Sequence, residues 1–455
     1  MNDLLSIKRA RNLAIILILV FTSIIVIDST IVKFLGYSDF DLSTSSSNLI
    51  FTSFYVISIG GSIILLSYLR KLMHKLGYRS SLNERVFQIF IFATEILMAS
   101  IILILILQMT FYNKYSILLL HASTYLSHGS SLLFLISLVI ILIQWIQVKR
   151  NYMILLYVVS LSLISTSVVL SLIYLEYQFS RSMSPDRKPY PIHLFIIRQE
   201  NTAWIESLHT AFDFTYLSSF IVTWIATAVL LNHYRRKVGT IKYFILIALP
   251  LVYYTFTFNG YLGNVLSPMM INSPVTVGVL YVLVFSATKQ VGSFLFSLSF
   301  LTAAVFINRE HLRISLLMSA MGIALLYGSI EVTTLQYRLY PPFGLITESF
   351  MPLGSFLLFT GILNSSTRIA QDADLRREIS KNAKDNLMLF RSMGIRQMEK
   401  ELINRFKYME KRATISGNVE EIHREEEDVR EIVRDVLNEL NKSKIMYKDR
   451  NHFSG

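Results

Sequence analysis

Apolar runs long enough to cross a lipid bilayer recur through the first 365 residues, and no other feature constrains the fold as strongly. Crossing the hydrocarbon takes about 20 mostly apolar residues, because a helix rises about 1.5 Å per residue across roughly 30 Å. Leu13–Leu35, Leu49–Leu69 and Val86–Phe111 each reach that length. They are apolar all round rather than at alternate positions, unlike the strands of a β-barrel. The sequence therefore predicts an all-α, polytopic transmembrane bundle.

Ten spans divide this apolar part of the chain. We predict them at 13–35, 49–69, 86–111, 116–147, 152–175, 203–231, 240–257, 275–307, 312–335 and 343–364. The eighth interval leaves an alternative, because it is too long for one upright helix and has Lys289 near its middle. Two short spans there would make eleven and would place the C-terminus on the other side of the membrane.

Basic residues are unevenly divided between the loops on the two sides. With the N-terminus inside, the inner segments hold 16 Lys and Arg residues and the outer segments hold seven. Short cytoplasmic loops are enriched in Lys and Arg. The distribution thus favours ten spans in the plasma membrane, with both termini in the cytoplasm.

The last 90 residues have the opposite composition, and we predict two domains, a transmembrane part at 1–365 and a cytoplasmic tail at 366–455. The tail has 19 Lys and Arg against 17 Asp and Glu, and no proline. Helices are predicted at Ile369–Met393, Ile395–Arg412 and Val419–Asn441.

One apolar stripe runs along the last predicted helix of the tail. It consists of Val429, Ile432, Val433, Val436, Leu437 and Leu440. A helix with such a face needs a partner, so residues 419–441 are predicted to bind another protein or a second copy in a coiled-coil-like manner. Acidic residues are interleaved with the basic ones, which argues against nucleic acid as a partner.

Ionisable side chains inside the predicted spans are the candidate functional residues, because each costs a few kcal/mol in lipid unless it is paired or hydrated. The candidate intramembrane polar site consists of Asp28, Glu95, His121, His128, His209, Asp213 and Lys289. Two further carboxylates in the spans are Glu331 and Glu348. The simpler interpretation is that each histidine pairs with a Ser, Thr or carboxylate on a neighbouring helix.

A metal or haem site is the sharper interpretation of the same histidines. Its ligands would come from His121, His128, His209 and Asp213, since neutral imidazoles and carboxylates bind transition metals. However, the spacing matches no known ligand motif, and His121 and His128 lie two helical turns apart, about 10 Å. The chain has no cysteine, so thiolate ligands are excluded. We therefore predict no cofactor, and keep haem or a transition metal as the alternative.

Lys289 has two interpretations of equal weight. A charge at a helix break near mid-membrane is typical of transporter binding sites. Alternatively, Lys289 pairs with a carboxylate such as Glu348, or reaches the interface if the helix ends there.

No nucleotide-binding loop, kinase signature or hydrolase motif occurs, so enzymatic activity is not expected. The leading hypothesis is a signalling or scaffolding protein that couples its bundle to a partner through the cytoplasmic helical tail. The first alternative is a secondary transporter or channel, and the second is a membrane metal or haem redox protein.

Three short motifs in the second half of the chain suggest a family. They are His233-Tyr-Arg-Arg-Lys-Val-Gly239 with Ile241-Lys-Tyr243, Thr288-Lys-Gln-Val-Gly292 leading into Phe294-Leu-Phe296, and Tyr340-Pro-Pro-Phe-Gly-Leu345. With the charged tail, they resemble uncharacterised multi-pass membrane proteins of ammonia-oxidising (thaumarchaeal) archaea over roughly 203–410. The family pattern has a Lys-Pro pair where this chain has Lys289-Gln290. The resemblance implies the architecture and an archaeal source, and it carries no activity.

Overall fold

The computed structural model describes the backbone of most of the apolar part of the chain. The described residues are 16–17, 19–31, 44–75, 82–112, 115–148, 152–182, 203–232, 235, 239–258, 291–305, 310–330 and 342–371. Lys289, Glu331 and the tail after Gln371 lie outside them. The contacts reported below lie within one compact unit, which consists of Met1–Ile146 and Tyr152–Asn364.

Ten helices account for nearly all of the described residues, and no strand occurs among them. The helices are α1 (Leu19–Ile31), α2 (Thr44–Lys75), α3 (Leu82–Tyr112), α4 (Ile117–Val148), α5 (Tyr152–Ser182), α6 (Ala203–Asn232), α7 (Thr240–Phe258), α8 (Val291–Val305), α9 (Glu310–Ser329) and α10 (Leu345–Gln371). The prediction of an all-α fold is confirmed for this part of the chain.

Seven of these helices are long and apolar enough to cross a membrane, by length and composition. They are α2, α3, α4, α5, α6, α9 and α10; the apolar stretches described for α1, α7 and α8 are shorter. Large apolar side chains such as Ile64, Leu103 and Ile140 are exposed on the outward faces. Exposed apolar surface on this scale is what a lipid-facing bundle requires.

Hydrogen bonds between helices show how α5, α6 and α7 pack. Ser160 contacts Thr223 and Ser167 contacts Thr215, so residue numbers rise along α5 while they fall along α6. One helix further, the Trp224 indole N–H donates to the Ile247 carbonyl at 3.0 Å, and Tyr243 OH donates to the Ala228 carbonyl at 3.0 Å. The three helices therefore run antiparallel to their neighbours, as short connections in a bundle dictate.

Two helices lie at the centre of the bundle. Residues 345–362 of α10 and 314–330 of α9 are all buried, whereas only 39–44% of the spanning stretches of α2 to α6 are buried. The burial follows from composition, because α9 and α10 are rich in Gly, Ser and Ala, and small residues let helix backbones approach closely.

Glycines mark the closest approach of α9 to α10. A Cβ on Gly322 would lie 2.7 Å from the Gly354 carbonyl oxygen and would also collide with the backbone of Leu358. A Cβ on Gly354 would lie 2.9 Å from the Leu326 nitrogen. The obstructing atoms belong to backbone, so a side chain here would require the two helices to separate.

A cluster of phenylalanines joins α10 to α3 and α4 away from the start of α10. Its members are Phe87, Phe90, Phe134, Phe356 and Phe359, with ring centroids 5.1–6.1 Å apart. We call this group the phenylalanine cluster. It fills the space between the three helices with apolar surface in edge-to-face and tilted arrangements.

Substituting Gly322 tests the close packing of α9 against α10. We expect Gly322→Ala to lower the free energy of unfolding by about 2 kcal/mol, because overpacking a tight interface typically costs 1–3 kcal/mol. The measurement is the heat denaturation of purified protein in detergent. In the matched control, Gly60→Ala, the added methyl group meets no atom within 4 Å and the helix propensity improves. Equal melting temperatures for the two variants would contradict this packing.

Candidate functional site

Asp28 of α1 caps the first turn of α10. Its carboxylate accepts hydrogen bonds from the Gly344 N–H at 3.1 Å, the Thr347 N–H at 3.0 Å and the Thr347 hydroxyl at 2.6 Å. The first N–H groups of a helix have no partner in the helix itself, and they attract negative charge. Asp28 is completely buried and takes the role of an N-cap side chain supplied by another helix.

The turn before α10 presents its N–H groups to Asp28. Gly344 has a φ of +97°, a backbone conformation that glycine adopts without strain. The Leu345 N–H donates to the Pro342 carbonyl at 3.3 Å, and the Glu348 N–H donates to the Gly344 carbonyl at 3.0 Å. The turn sets the first helical residues so that Thr347 faces α1 and Glu348 faces α4.

Glu348 contacts three residues of α4. The hydroxyl of Thr124 donates to Glu348 Oε2 at 3.2 Å, and the hydroxyl of Ser127 donates to the Glu348 carbonyl at 2.8 Å. Glu348 Oε1 lies 2.9 Å from His128 Nδ1, and both side chains are completely buried. The described structure thus joins His128 to a carboxylate on a neighbouring helix.

The hydrogen bonds assign the tautomer of His128. Its Nδ1 lies 3.0 Å from the Thr124 carbonyl, which can only accept, so Nδ1 carries a hydrogen directed at Thr124. The 2.9 Å contact with Glu348 Oε1 is therefore electrostatic, and Oε1 is left without a hydrogen-bond donor. His128 Nε2 is buried and has no protein partner in the described part of the chain. The pair thus has an acidic and a basic atom with unused hydrogen-bonding capacity.

Glu95 of α3 lies at about the same depth as this pair. Its Oε1 is buried without a hydrogen-bond partner among the described residues. Phe90 and Phe134 are in ring contact. From this contact, Glu95 lies five residues further along α3, about 7.5 Å, and His128 lies six residues back along the antiparallel α4, about 9 Å. Both displacements point towards the same end of the bundle, so the two residues have a similar depth. On the next helix, Tyr55 OH donates to the Ala99 carbonyl at 2.7 Å, one turn from Glu95.

His121 lies nearer the end of the bundle at which α4 and α10 begin. It is half-buried, and its ring is 6.0 Å from that of Tyr125. The Tyr125 hydroxyl donates to a carboxylate oxygen of Glu176 on α5. Tyr125 and Glu176 are exposed. His121, Tyr125 and Glu176 therefore form a second polar group, at the surface of the bundle near the start of α4.

The other predicted site residues are not shown in these clusters. His209 and Asp213 both lie on α6, where Asp213 is half-buried, and Lys289 is outside the described residues. Within the described ranges, no three His, Asp or Glu side chains gather as a metal site requires. The structure thus brings Asp28, His128 and Glu348 to one helix start, with Glu95 at a similar depth.

A buried hydroxyl cluster was not predicted from the sequence. Tyr327 OH of α9 lies 3.0 Å from Ser160 Oγ of α5 and 3.1 Å from Ser219 Oγ of α6, and it also contacts Thr223. The predicted site was built from ionisable residues, because a charge in lipid is costly. A signal was present, because α6 carries hydroxyl residues at every fourth position. These residues are Thr215, Ser219, Thr223 and Thr227.

No family model, curated protein or solved structure matches the chain. The resemblance to archaeal multi-pass membrane proteins accordingly stays a prediction.

Removing the Asp28 carboxylate tests its capping role. We expect Asp28→Ala to lower the free energy of unfolding by about 3 kcal/mol, since buried donors left without an acceptor cost about 1–3 kcal/mol each. Asp28→Asn keeps one acceptor oxygen and should lose less. Heat denaturation in detergent gives both values. Ser23→Ala on the same helix is the control, because the exposed Ser23 donates only to the Leu19 carbonyl of its own helix. A wild-type melting temperature for Asp28→Ala would refute the capping role.

Proposed function

We propose that the protein is a signalling or scaffolding protein of the plasma membrane, in which α10 conveys changes at its buried first turn to the cytoplasmic tail. The observation that carries this proposal is the combination found in α10. It is buried along residues 345–362, and its first turn bears Glu348 against His128. A buried central helix with a polar contact at one end is a suitable element for transmitting displacement.

The other end of α10 supports the same proposal. The helix runs without interruption to Gln371, seven residues past Asn364. The charged tail begins within that stretch of sequence, so no flexible linker separates the described helix from its start. A continuous helix passes a shift or rotation along its axis, whereas a loop would absorb it.

The proposed topology has ten spans and both termini in the cytoplasm. It is supported by the ten described helices, each of which overlaps one of the predicted intervals, and by the distribution of Lys and Arg. Because the chain has no cysteine, single introduced cysteines report their own accessibility. We expect Asn151→Cys and Ser416→Cys to react with an impermeant thiol reagent from the cytoplasmic side. Asn113→Cys, the control, should react from the outside. Opposite sides for Asn151→Cys and Ser416→Cys would require an odd number of spans between them and remove the proposed topology.

In this proposal the tail binds the partner, through the apolar stripe of residues 419–441. We expect the full chain in nanodiscs to self-associate or to capture a specific protein, and a chain ending at Gln371 to do neither. The truncated chain should keep its melting temperature, since the contacts described above lie within the bundle.

A double substitution tests the stripe without truncation. Val433→Glu with Leu437→Glu places charge on the apolar face and should abolish the association, whereas Arg434→Ala on the charged surface should leave it intact. Association that survives both truncation and double substitution would show that the tail has no role in binding partners.

A further inference from the structure

Polar residues follow one face of α4 from its start to its middle. They are His121, Thr124, Ser127, His128 and Ser131, at spacings of three, four and seven residues that place them on one side of a helix. We call this face the α4 polar stripe. It ends at Phe134, which belongs to the phenylalanine cluster. The helix is therefore polar on its inner face over one half and apolar over the other.

Two groups of described contacts lie along the α4 polar stripe, one at its surface end and one at the pair. At the surface end, Tyr125 bonds to the exposed Glu176 and lies beside the half-buried His121. One turn further, Thr124 donates to Glu348 and its carbonyl accepts from His128. Each of these side chains can accept or release a proton or can reorient a hydroxyl, which are the properties of a proton relay.

Beyond the pair, apolar side chains replace the polar ones. Phe134 contacts Phe87, Phe90, Phe356 and Phe359, and Leu135, Leu138 and Leu142 continue the buried face of α4. A layer of phenylalanine and leucine offers no hydrogen-bonding groups, so it blocks proton movement. Access to the pair is thus expected from one side of the membrane.

We propose that the His128–Glu348 pair is a proton-binding site, loaded along the α4 polar stripe from the side at which α4 begins. That side is the outer face in the topology proposed above. The chemistry is a simple association. A proton from water adds to the lone pair of His128 Nε2 or to a carboxylate oxygen of Glu348, and no other bond is made or broken.

Two atoms of the pair are free to take a proton, because His128 Nε2 and Glu348 Oε1 are buried without a hydrogen-bond partner among the described residues. A neutral imidazole beside a carboxylate holds one negative charge between them. Adding one proton gives either an imidazolium opposite Glu348 Oε1 at 2.9 Å or two neutral groups. Both loaded states remove the net charge. Loading therefore changes the electrostatic interaction between His128 and Glu348, and with it the force that α4 exerts on the first turn of α10.

Titratable groups on the surrounding helices lie near the pair. Asp28 of α1 is hydrogen-bonded to Thr347, the neighbour of Glu348. Glu95 of α3 lies at a similar depth. His121 of α4 and Glu176 of α5 lie at the entrance.

Nitrogen NMR of the full chain in nanodiscs, with ¹⁵N-labelled histidine, tests the site. His128→Gln identifies the His128 signals, and infrared spectroscopy with Glu348→Gln identifies the Glu348 carboxyl band. We expect one of the two groups to take up a proton within the pH range in which circular dichroism shows folded helices. If both groups keep a single protonation state across that range in the wild-type protein, the pair is not a proton-binding site.

The rate of loading after a pH jump tests the path. We expect His121→Phe to slow it by about a hundredfold, as removal of a positioned proton-transfer group typically does. Ser165→Ala is the control, because Ser165 on α5 donates to its own helix and is outside the stripe. Equal rates for His121→Phe and wild type would overturn loading along α4.

The physiological role of this site rests on the proposed function. A spin label at Gln371→Cys, which reports movement at the end of α10, tests the transmission separately from proton binding. Proton uptake by the pair without any change at the label would leave the site intact and contradict transmission along α10. An associating tail in a protein whose pair never changes protonation would contradict only the proton-binding site.

Discussion

The capping of α10 by Asp28 is the interaction on which the rest of the central bundle depends. Inside a membrane protein, water is not at hand to satisfy backbone groups, so a helix that begins in the interior must find acceptors for its first N–H groups. Asp28 supplies them for Gly344 and Thr347. The register of α10 follows, because a helix whose first turn is held in this way presents Glu348 to α4 and Gly354 to α9. A single carboxylate therefore positions both the polar pair and the closest helix contact.

Close packing and polar contacts have complementary roles around α10. Towards α9, the absence of side chains on Gly322 and Gly354 lets the backbones meet, and dispersion between many atoms holds them. Towards α4, the polar pair lies near the start of the helix and the phenylalanine cluster further along. The polar pair and the Asp28 cap thus lie at the same end of the central helix, where α1 and α4 supply the partners.

The fold could be predicted from the sequence more fully than the site. Apolar runs fix helices because the hydrocarbon admits little else, and each described helix overlaps a predicted interval. Asp28, Glu95 and His128 stood out because charge in lipid is costly. Their partners could not be predicted, since pairing depends on which helices are neighbours and on their rotation. The sequence offered Lys289 as a partner for Glu348; the described structure shows Glu348 against His128, and Lys289 lies outside the described residues. The Ser160, Ser219 and Tyr327 cluster was missed because hydroxyls in a membrane helix usually bond to their own backbone.

Because hydroxyl groups can bond to the backbone of their own helix, the α5–α6 interface differs from the α1–α10 contact. Thr215 donates to the Ala211 carbonyl, Thr223 to the Ser219 carbonyl, and Ser167 has both the Leu163 carbonyl and Thr215 within reach. Each of these three hydroxyls keeps an acceptor on its own helix if the neighbouring helix moves, whereas Ser160 and Ser219 bond to neighbouring helices. Asp28 has no such reserve, because the backbone donors it serves belong to another helix. The bundle therefore combines an α1–α10 contact whose loss would leave backbone donors unpaired with an α5–α6 interface at which part of the hydroxyl bonding lies within each helix.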